Sequence, residues 1–326
     1  MRALPLLYLT TLVACDTEDT GDTSDPGVVW SVEHDDDARA WSGVWGTGPD
    51  DVWIVGGDAD GGATRHYDGS AWSDVPVPSG TGLLVWVYGF ASDDVYAVGR
   101  AGALVHWDGA AWAALESGTD RDLWGVWGAS STDLWLVGGE VTGTWPLSLH
   151  WDGAAATEVP IEADQNLHGG VALFKVWGIG DDTWAVGDLG LVLRWDGTRW
   201  NENFGGEKAN DDFVSLWGEA ADDVVAVGGR GNGRIARWDG SGWTTTMPDA
   251  LTGLNAVYVQ DGLAFVGGIY GYTGTLDLAD GALVGDPVAV TDDVHAIWAD
   301  GADAVWAVGG VFTAPYRGFL LRRGAP

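Results

Sequence analysis

The sequence repeats one phrase, which first appears as Val44-Trp45-Gly46, then Asp50-Asp51-Val52-Trp53-Ile54-Val55-Gly56, then His66-Tyr67-Asp68-Gly69, and ends at Trp72. Six further copies start 43, 39, 50, 40, 41 and 40 residues apart. A period of about 40 residues with four strand-like segments is typical of a propeller blade. The sequence therefore predicts an all-β, seven-bladed β-propeller. The aromatic residues in the place of Trp45 are Tyr88, Trp127, Trp177, Trp217, Tyr258 and Trp298.

Each segment of the phrase predicts a local structure. The run Val52 to Val55 is continuously apolar, as expected of a strand that is buried on both faces between neighbouring blades. Asp68-Gly69 favours a two-residue hairpin turn, because both residues tolerate positive φ. The aspartates at 50 and 51 are expected to accept hydrogen bonds from nearby backbone amides.

The ends of the chain predict how the ring closes. The seventh copy stops at Pro326 without a fourth segment, whereas Val28-Val29-Trp30 is a spare strand-like run. Trp30 precedes Trp45 by 15 residues, the same step that separates Trp112 from Trp127. The N-terminal strand should therefore complete the last blade and remove an open edge, so that the propeller covers residues 28–326.

One copy departs from the phrase. In the sixth copy, Ala279-Asp280-Gly281 replaces the aromatic-Asp-Gly triplet, and Leu263 stands where an aspartate is usual. This blade is therefore expected to be the least regular of the seven.

The first 27 residues predict export. Met1-Arg2 is followed by an apolar run from Ala3 to Ala14, which is typical of a secretory signal and too short to span a bilayer. Residues 16–27 are acidic and contain no large apolar residue, so they should form a disordered tether.

Residues 12–15, Leu-Val-Ala-Cys, resemble the lipobox of bacterial lipoproteins. The resemblance implies a signal peptide over 1–15, acylation of Cys15, and a protein held in the cell envelope by its lipid anchor. Cys15 is the single cysteine of the chain. The alternative is an ordinary signal peptide with a chance cysteine.

The composition excludes some partners. The net charge is −33, and only two of the 15 basic residues are lysines. Such a surface repels nucleic acid and anionic lipid headgroups, so neither is an expected partner. A soluble, acidic monomer is expected, with the 22 tryptophans filling space between sheets.

The repeated phrase resembles the tryptophan-rich propeller lipoproteins common in myxobacteria and is more distantly similar to kelch and galactose-oxidase-type propellers. The resemblance extends over residues 28–326. It implies the fold and says little about function, because most of these lipoproteins are uncharacterised.

Loop lengths separate two faces of the predicted propeller. The turns between the first and second segments are nearly uniform, whereas the loops between the second and third differ from copy to copy. Function concentrates in variable loops on a rigid frame, so the irregular face should bind a protein or a glycan. The alternative for Trp145 is packing within its loop. The candidate ligand-binding residues are Trp145, Tyr270, Tyr272, Tyr316, His168, Arg230 and Arg234.

Metal sites have weak support. Asp58 and Asp60 resemble the start of a calcium loop, but no glutamate follows at the required position. No cofactor is therefore expected, and Ca²⁺ at these two aspartates is the alternative. Three histidines, at 66, 106 and 150, occupy one repeat position and are expected to be structural. The non-repeating histidines, which remain weak candidates, are His34, His168 and His295.

Catalytic patterns are absent from the sequence. There is no nucleophile elbow, no sialidase-type Asp box, and no cysteine beyond Cys15 for a galactose-oxidase crosslink. We therefore expect a non-catalytic binding or scaffold module. A hydrolase or lyase with a carboxylate site in the channel remains the alternative, since 48 acidic residues allow many pairs, and a purely structural envelope component is a third. Clustered aromatic residues on the irregular face would favour binding, whereas paired carboxylates with one raised pKa would favour catalysis.

Overall fold

A computed structural model describes residues 29–140, 145–161, 172–203, 211–286 and 288–324. These residues form seven antiparallel sheets of four strands each, which confirms the seven-bladed propeller. The predicted signal peptide, Cys15 and the acidic tether lie outside the described residues. Among the residues described, no helix is long and apolar enough to cross a bilayer.

The strands of the first half follow the repeat. The N-terminal strand is β1 (Val29–Asp36). Blades one to four then contain β2 (Ala40–Gly48), β3 (Asp51–Asp58), β4 (Gly61–Tyr67) and β5 (Trp72–Asp74); β6 (Leu84–Ala91), β7 (Asp94–Gly99), β8 (Leu104–Trp107) and β9 (Trp112–Ala114); β10 (Leu123–Ser130), β11 (Asp133–Gly138), β12 (Leu147–Trp151) and β13 (Ala156–Glu158); β14 (Leu173–Ile179), β15 (Asp182–Gly187), β16 (Val192–Trp195) and β17 (Trp200–Glu202).

The second half continues in the same order. Short 3-10 turns follow the second strand in blades two, four and six, at Arg100–Gly102, Asp188–Gly190 and Ile269–Gly271. Blades five to seven contain β18 (Phe213–Ala220), β19 (Asp223–Gly228), β20 (Arg234–Trp238) and β21 (Trp243–Thr246); β22 (Leu254–Gln260), β23 (Leu263–Gly268), β24 (Thr273–Asp277) and β25 (Leu283–Asp286); β26 (Val294–Ala299), β27 (Val305–Val311) and β28 (Arg317–Gly324).

The ring closes as the sequence predicts. β1 pairs antiparallel with β28, from Val29 opposite Gly324 to Asp36 opposite Gly318. The last sheet therefore has the order β1-β28-β27-β26. Trp30 is buried, at 7% exposure, where four other blades have a fourth-strand tryptophan. This pairing joins the two ends of the chain and removes an open edge from the last blade.

Tryptophans fill the spaces between blades in a repeated cluster. The second-strand residue Trp53 of blade one lies 5.0 Å from Trp107 and 5.3 Å from Trp112 of blade two, measured between ring centres. Trp135 makes the same contacts with Trp195 and Trp200 of the next blade, at 4.8 and 5.0 Å. Edge-to-face aromatic pairs at these distances add to the free energy of burial. The abundance of tryptophan is therefore explained by packing of one blade on the next.

The irregularity of the sixth copy is a matched change across one interface. Blade five has Val225 where other second strands have an aromatic residue, and blade six has Leu276 and Leu283 in place of the aromatic partners. These three residues belong to one apolar cluster. Blade six is a complete four-stranded sheet, because the smaller residues on both sides keep the interface filled.

The second aspartate of each pair contacts a side chain and not the backbone amides expected from the sequence. Asp51 lies 2.6 Å from Nε2 of His66, and Asp94 lies 2.8 Å from Nε2 of His106. Blade three repeats the pair with His150, at 2.7 Å from Asp133. The histidines at this repeat position are therefore structural, as predicted: each links the third strand of its own blade to the start of the second.

The Asp-Gly turns are longer than the predicted two-residue turns. Tyr67 pairs with Trp72, so residues 68–71 form a four-residue connection. The Asp68 carboxylate accepts hydrogen bonds from the backbone amides of Ser70 and Ala71, both at 2.9 Å. Gly69 adopts φ +85°, which an L-residue rarely does. The prediction of a tight turn failed because the aspartate side chain supplies a cap that makes the wider loop stable.

Candidate functional site

The inner strand of every blade contributes one residue to each of two rings in the central channel. The floor ring consists of the repeated aromatic residues Trp45, Tyr88, Trp127, Trp177, Trp217, Tyr258 and Trp298. The cup ring lies three residues earlier in each strand, which is about 10 Å along a strand. It consists of Ser42, Val85, Trp124, Phe174, Val214, Asn255 and His295.

The floor ring fills the channel with packed aromatic side chains. Trp217 and Tyr258 stack with their ring centres 4.8 Å apart, and Tyr258 lies 6.3 Å from Trp298. Burial raises the pKa of Tyr88 to about 12 and also raises the pKa of Tyr258. The channel is therefore narrowed by apolar rings below the cup ring, within the part of the chain that the structure describes.

In blades one to five a glycine follows the floor aromatic and leaves no room for a Cβ atom, whereas blade seven has Ala299 there. A Cβ atom at Gly89 would lie 2.6 Å from the Trp45 ring, and one at Gly46 would lie 3.0 Å from the Trp298 ring. Blade six has Val259 at this position, and there the preceding Trp217 stacks on Tyr258 instead. The Val-Trp-Gly phrase is thus required by contacts between blades.

Above the floor, the cup ring surrounds a cavity of about 360 Å³. Phe174 and Trp124 meet edge to face, with ring centres 6.2 Å apart, on one side of it. Asn255 and His295 lie on the side formed by blades six and seven. A concave, mainly apolar site with a few polar groups is the usual form of a ligand site. We call this cavity the cup.

A buried amine also lines the cup. Lys175 follows Phe174 in β14 and is only 7% exposed. Its Nζ atom lies 3.0 Å from the centre of the Trp86 ring in blade two. Gly125 occupies the same repeat position in the blade between them and has no side chain to separate them. Burial lowers the pKa of the Lys175 amine well below its ordinary value.

The rim of the cup is built partly from strained corners. Leu189 and Tyr270 sit at the tips of the 3-10 turns in blades four and six with φ of 55° and 58°. Each donates its backbone N–H to an aspartate of the next blade, Asp212 or Asp293. Both side chains are exposed, at 44% and 74%. Non-glycine residues held in this region cost free energy and are frequent at functional sites.

Two carboxyl groups meet beside the rim. Asp212, which lines the cup, and Asp188 are both buried, and their carboxyl groups share a hydrogen bond. Burial and the neighbouring carboxyl raise the pKa of Asp212 to about 7. The guanidinium of Arg230 forms an ion pair with Asp212. The arrangement can hold one proton at neutral pH, and Arg230 partly compensates its remaining charge.

Three of the sequence candidates lie on the irregular face. Trp145 is 59% exposed, and its carbonyl accepts a hydrogen bond from Arg121. Tyr270 is exposed at the rim, and Arg230 lines the cup. Aromatic side chains therefore cluster on this face, both at the rim and inside the cup.

The other candidates are not gathered at the cup. Arg234 is 3% exposed, with its guanidinium 4.6 Å from the Phe213 ring, so it packs within blade five. Tyr272 is half-buried against its own blade, and burial raises the pKa of its hydroxyl. Tyr316 is half-buried beside the β27–β28 turn. His168 lies outside the described residues.

The metal candidates and the unmatched histidines have separate surroundings. The Asp58 carboxylate accepts the backbone N–H of Asp60 at 2.7 Å, as in a local turn. Within the described ranges, no group of three or more histidine, cysteine or acidic residues could hold a metal. His34 is half-buried on β1, where burial lowers its pKa. His295 belongs to the cup, and its Nε2 lies 3.0 Å from the Gly310 carbonyl.

Sequence reasoning missed most of the cup. The cup-ring position differs in chemical type from blade to blade, as does the position after it, which holds Lys175, whereas the flanking positions stay apolar. Aligning the copies and asking where the repeat breaks within a strand would have found it. Attention to the irregular loops found the rim but not the cavity.

No protein-family model and no curated protein matches the chain. Solved propellers match by structure. A YCF48 bound to a D1 peptide has a TM-score of 0.66 at 14% identity, covering 92% of this chain and 100% of its own. YCF48 from Cyanidioschyzon merolae gives the same TM-score and identity over 91% and 98%. The WD40 domain of Doa1 has a TM-score of 0.70 at 10% identity over 90% and 97%. At these identities the similarity establishes the propeller fold alone.

Proposed function

We propose that this protein is a non-catalytic binding module that engages a peptide segment of another protein in the cup. The observation that carries the proposal is the cup ring. The seven cup-ring positions hold six different residue types, since only valine occurs twice, and all seven line the cavity. The floor position, three residues further along each strand, is aromatic in every blade. Variation confined to a cavity on a repeated scaffold supports recognition of an asymmetric ligand.

The exposed residues of the rim extend this binding surface. Trp145, Leu189 and Tyr270 are exposed in loops between second and third strands, on the same face as the cup, and Arg100 and Arg230 add charge to its lining. Binding interfaces commonly combine aromatic anchors with a polar surround. A peptide would place one side chain in the cup and lay its flanking residues over the rim. The YCF48 structure with a D1 peptide is a precedent for peptide binding by a similar propeller.

We further propose that the module is exported and lipid-anchored through Cys15, as in the tryptophan-rich propeller lipoproteins that its repeat resembles. The support is the apolar run before Cys15 and the acidic residues 16–27 after it. In a bacterial host, labelled palmitate should be incorporated by the natural chain and not by Cys15→Ser. Equal labelling of both would disprove the anchor and leave the binding proposal standing.

Peptide display selection with the full-length protein tests the binding proposal. Selected peptides should bind the natural protein with measurable affinity, and Trp124→Ala or Asn255→Ala should weaken them at least tenfold. Val284→Ala is the matched control, because Val284 is 62% exposed on the outer strand of blade six, away from the cup. The control should bind as tightly as the natural protein. Binding that is unchanged in both cup variants would contradict the proposal.

The Asp188–Asp212 pair is the observation that favours a second function, hydrolysis or elimination. Two contacting carboxyls that share a proton can act as acid and base. In this alternative, Asp212 would exchange protons with a substrate held in the cup. This alternative requires that the natural protein turns over at least one substrate in a panel of peptides, esters and glycans. It also requires that Asp212→Asn loses that turnover. Binding without turnover supports the first function.

A further inference from the structure

We propose that the cup binds the C-terminal carboxylate of a peptide that ends in an apolar residue, with the Lys175 ammonium as its counter-ion. This inference rests on the proposed peptide-binding function and names the ligand class of the same site. It follows from three features of the cup: the buried amine, the apolar lining, and the aromatic floor ring that narrows the channel beneath it.

Among the residues that the structure describes, the Lys175 amine has no anionic partner. Lys175 is only 7% exposed, yet it is one of the residues that line the cup. Its one close contact is the face of Trp86, and no carboxylate among the described residues forms an ion pair with it. A buried charge without a partner is costly, and a bound anion would remove much of that cost.

The acidic group nearest the cup is already committed. Asp212 is paired with Arg230 and accepts the backbone N–H of Leu189, so it is held at the rim. An incoming carboxylate would therefore be the counter-ion that Lys175 lacks. A peptide amino terminus would instead place a second positive charge beside the amine, which excludes that orientation.

The walls beside the amine favour an apolar end residue. The Lys175 amine lies on the face of Trp86, and Trp124 and Phe174 add aromatic surface to the lining of the cup that it shares. A C-terminal residue carries its carboxylate and its side chain on the same Cα atom. A leucine or phenylalanine at the end of a chain therefore offers both the anion and the apolar group that this corner of the cup would contact.

The floor favours a chain end over a passing chain. The floor ring narrows the channel with packed aromatic side chains of adjacent blades, about 10 Å below the cup ring. A cavity of about 360 Å³ that is open at one side admits a terminal residue, whereas a continuous segment would have to enter and leave through the same opening. The end of a chain satisfies both the volume and the charge.

The experiment compares paired peptides on the full-length protein. An acetylated peptide library ending in leucine, phenylalanine or tryptophan is prepared with either a free carboxylate or a carboxamide at the C-terminus. The free acids should bind at least tenfold tighter than the matching amides. Lys175→Met should reduce acid binding to the level of the amides and leave amide binding unchanged. Arg322→Met is the control, because it removes a cation from the Trp306 ring outside the cup.

Folding of the variant is checked separately. Removing an uncompensated buried amine should leave the urea midpoint of Lys175→Met equal to or above that of the natural protein. Calorimetry in two buffers at pH 8 provides a readout that a structural role would not change. Acid binding should take up protons in the natural protein and take up fewer in Lys175→Met. The other charged or titratable groups facing the cup, which remain in both proteins, are Arg100, Asp212, Arg230 and His295.

The outcomes separate the two proposals. Equal affinity for acids and amides, with both lost in Phe174→Ala, would retain the peptide-binding function and overturn the role of Lys175. Absence of binding by any library member would overturn both. 3-Phenylpropionate is included as a free carboxylate, and binding as tight as that of the best peptide would replace the peptide end with a small acid as the ligand.

Discussion

The floor ring and the cup ring are made by the same seven strands, three residues apart, yet they differ in almost every respect. At the floor, aromatic rings pack against their neighbours, and in blade two the following glycine, Gly89, accommodates the edge of the Trp45 ring of the preceding blade. In the cup, seven half-exposed side chains of mixed type face an open cavity. Repetition is therefore strongest where the aromatic residues of neighbouring blades pack together, and it is relaxed where side chains face the cavity.

The difference shows how a repeat protein can acquire specificity without losing its fold. Residues between blades must fit two partners at once, so a change on one side requires a change on the other. Val225 opposite Leu276 and Leu283 illustrates such a paired change. A cup residue is less constrained, because part of its side chain faces the cavity, although Ser42 and Asn255 each donate a hydrogen bond to a backbone carbonyl of the next blade.

The largest expected effect comes from truncating the floor-ring residue of β14, compared with truncating the cup-ring residue of the same strand. Trp177→Ala removes a 4%-exposed side chain from the floor and should lower the free energy of unfolding by about 3–5 kcal/mol. Phe174→Ala, in the cup, should cost less than about 2 kcal/mol, because its side chain is already half-exposed. Urea unfolding followed by tryptophan fluorescence measures both. Similar losses at the two positions would contradict the distinction between the rings.

A smaller loss is expected from adding one methyl group to the floor. In Gly89→Ala the new Cβ would lie 2.6 Å from the Trp45 ring and 2.9 Å from the Asp94 carbonyl, so the blades must separate slightly. The expected cost is about 1–3 kcal/mol. Gly242→Ala is the control, since nothing lies within 4 Å of its Cβ position. If Gly89→Ala and Gly242→Ala have the same unfolding midpoint, the floor tolerates added volume and the prediction is wrong.

Asp188→Asn tests the carboxyl pair at the rim through pH. The pKa of Asp212 is raised to about 7 from its usual 3.8, so the folded protein holds a proton between pH 4 and 7 that the unfolded chain releases. This group therefore favours folding more at pH 5 than at pH 8. Removing the Asp188 charge should stabilise the protein at pH 8, on the order of 1 kcal/mol, and by less at pH 5. An equal effect at both pH values would contradict a shared proton.

The smallest effect concerns a strained corner. Leu189→Gly relieves a left-handed backbone conformation at an exposed position and should raise the free energy of unfolding by about 1 kcal/mol or less. If the exposed side chain belongs to the binding surface, peptide affinity should fall while stability rises. Gly190→Ala, next to it, gives the opposite change in stability, because Gly190 itself has φ +73°. A loss of stability in Leu189→Gly would show that its apolar contacts outweigh the strain.

The amino-acid sequence by itself determined the number of blades, their strand order and the closure by β1. These depend on a short phrase repeated seven times, with spacing set by strand length and turn chemistry. It also predicted the structural role of the histidines at 66, 106 and 150, because a residue that recurs in one repeat position must occupy the same place in each blade. The turn length after Tyr67 was predicted wrongly, since the hydrogen bonds of Asp68 depend on the folded loop.

The tertiary structure alone decided where the candidate site lies. Lys175 and Trp86 are 89 positions apart, in different blades, and they meet only because the ring brings every inner strand to a common axis. Arg230 and Arg234 are only four positions apart, yet Arg234, at the start of β20, packs on Phe213, whereas Arg230 reaches the cup. Sequence periodicity reports which residues are equivalent, whereas the direction of each side chain and its neighbours across the channel depend on closing the ring.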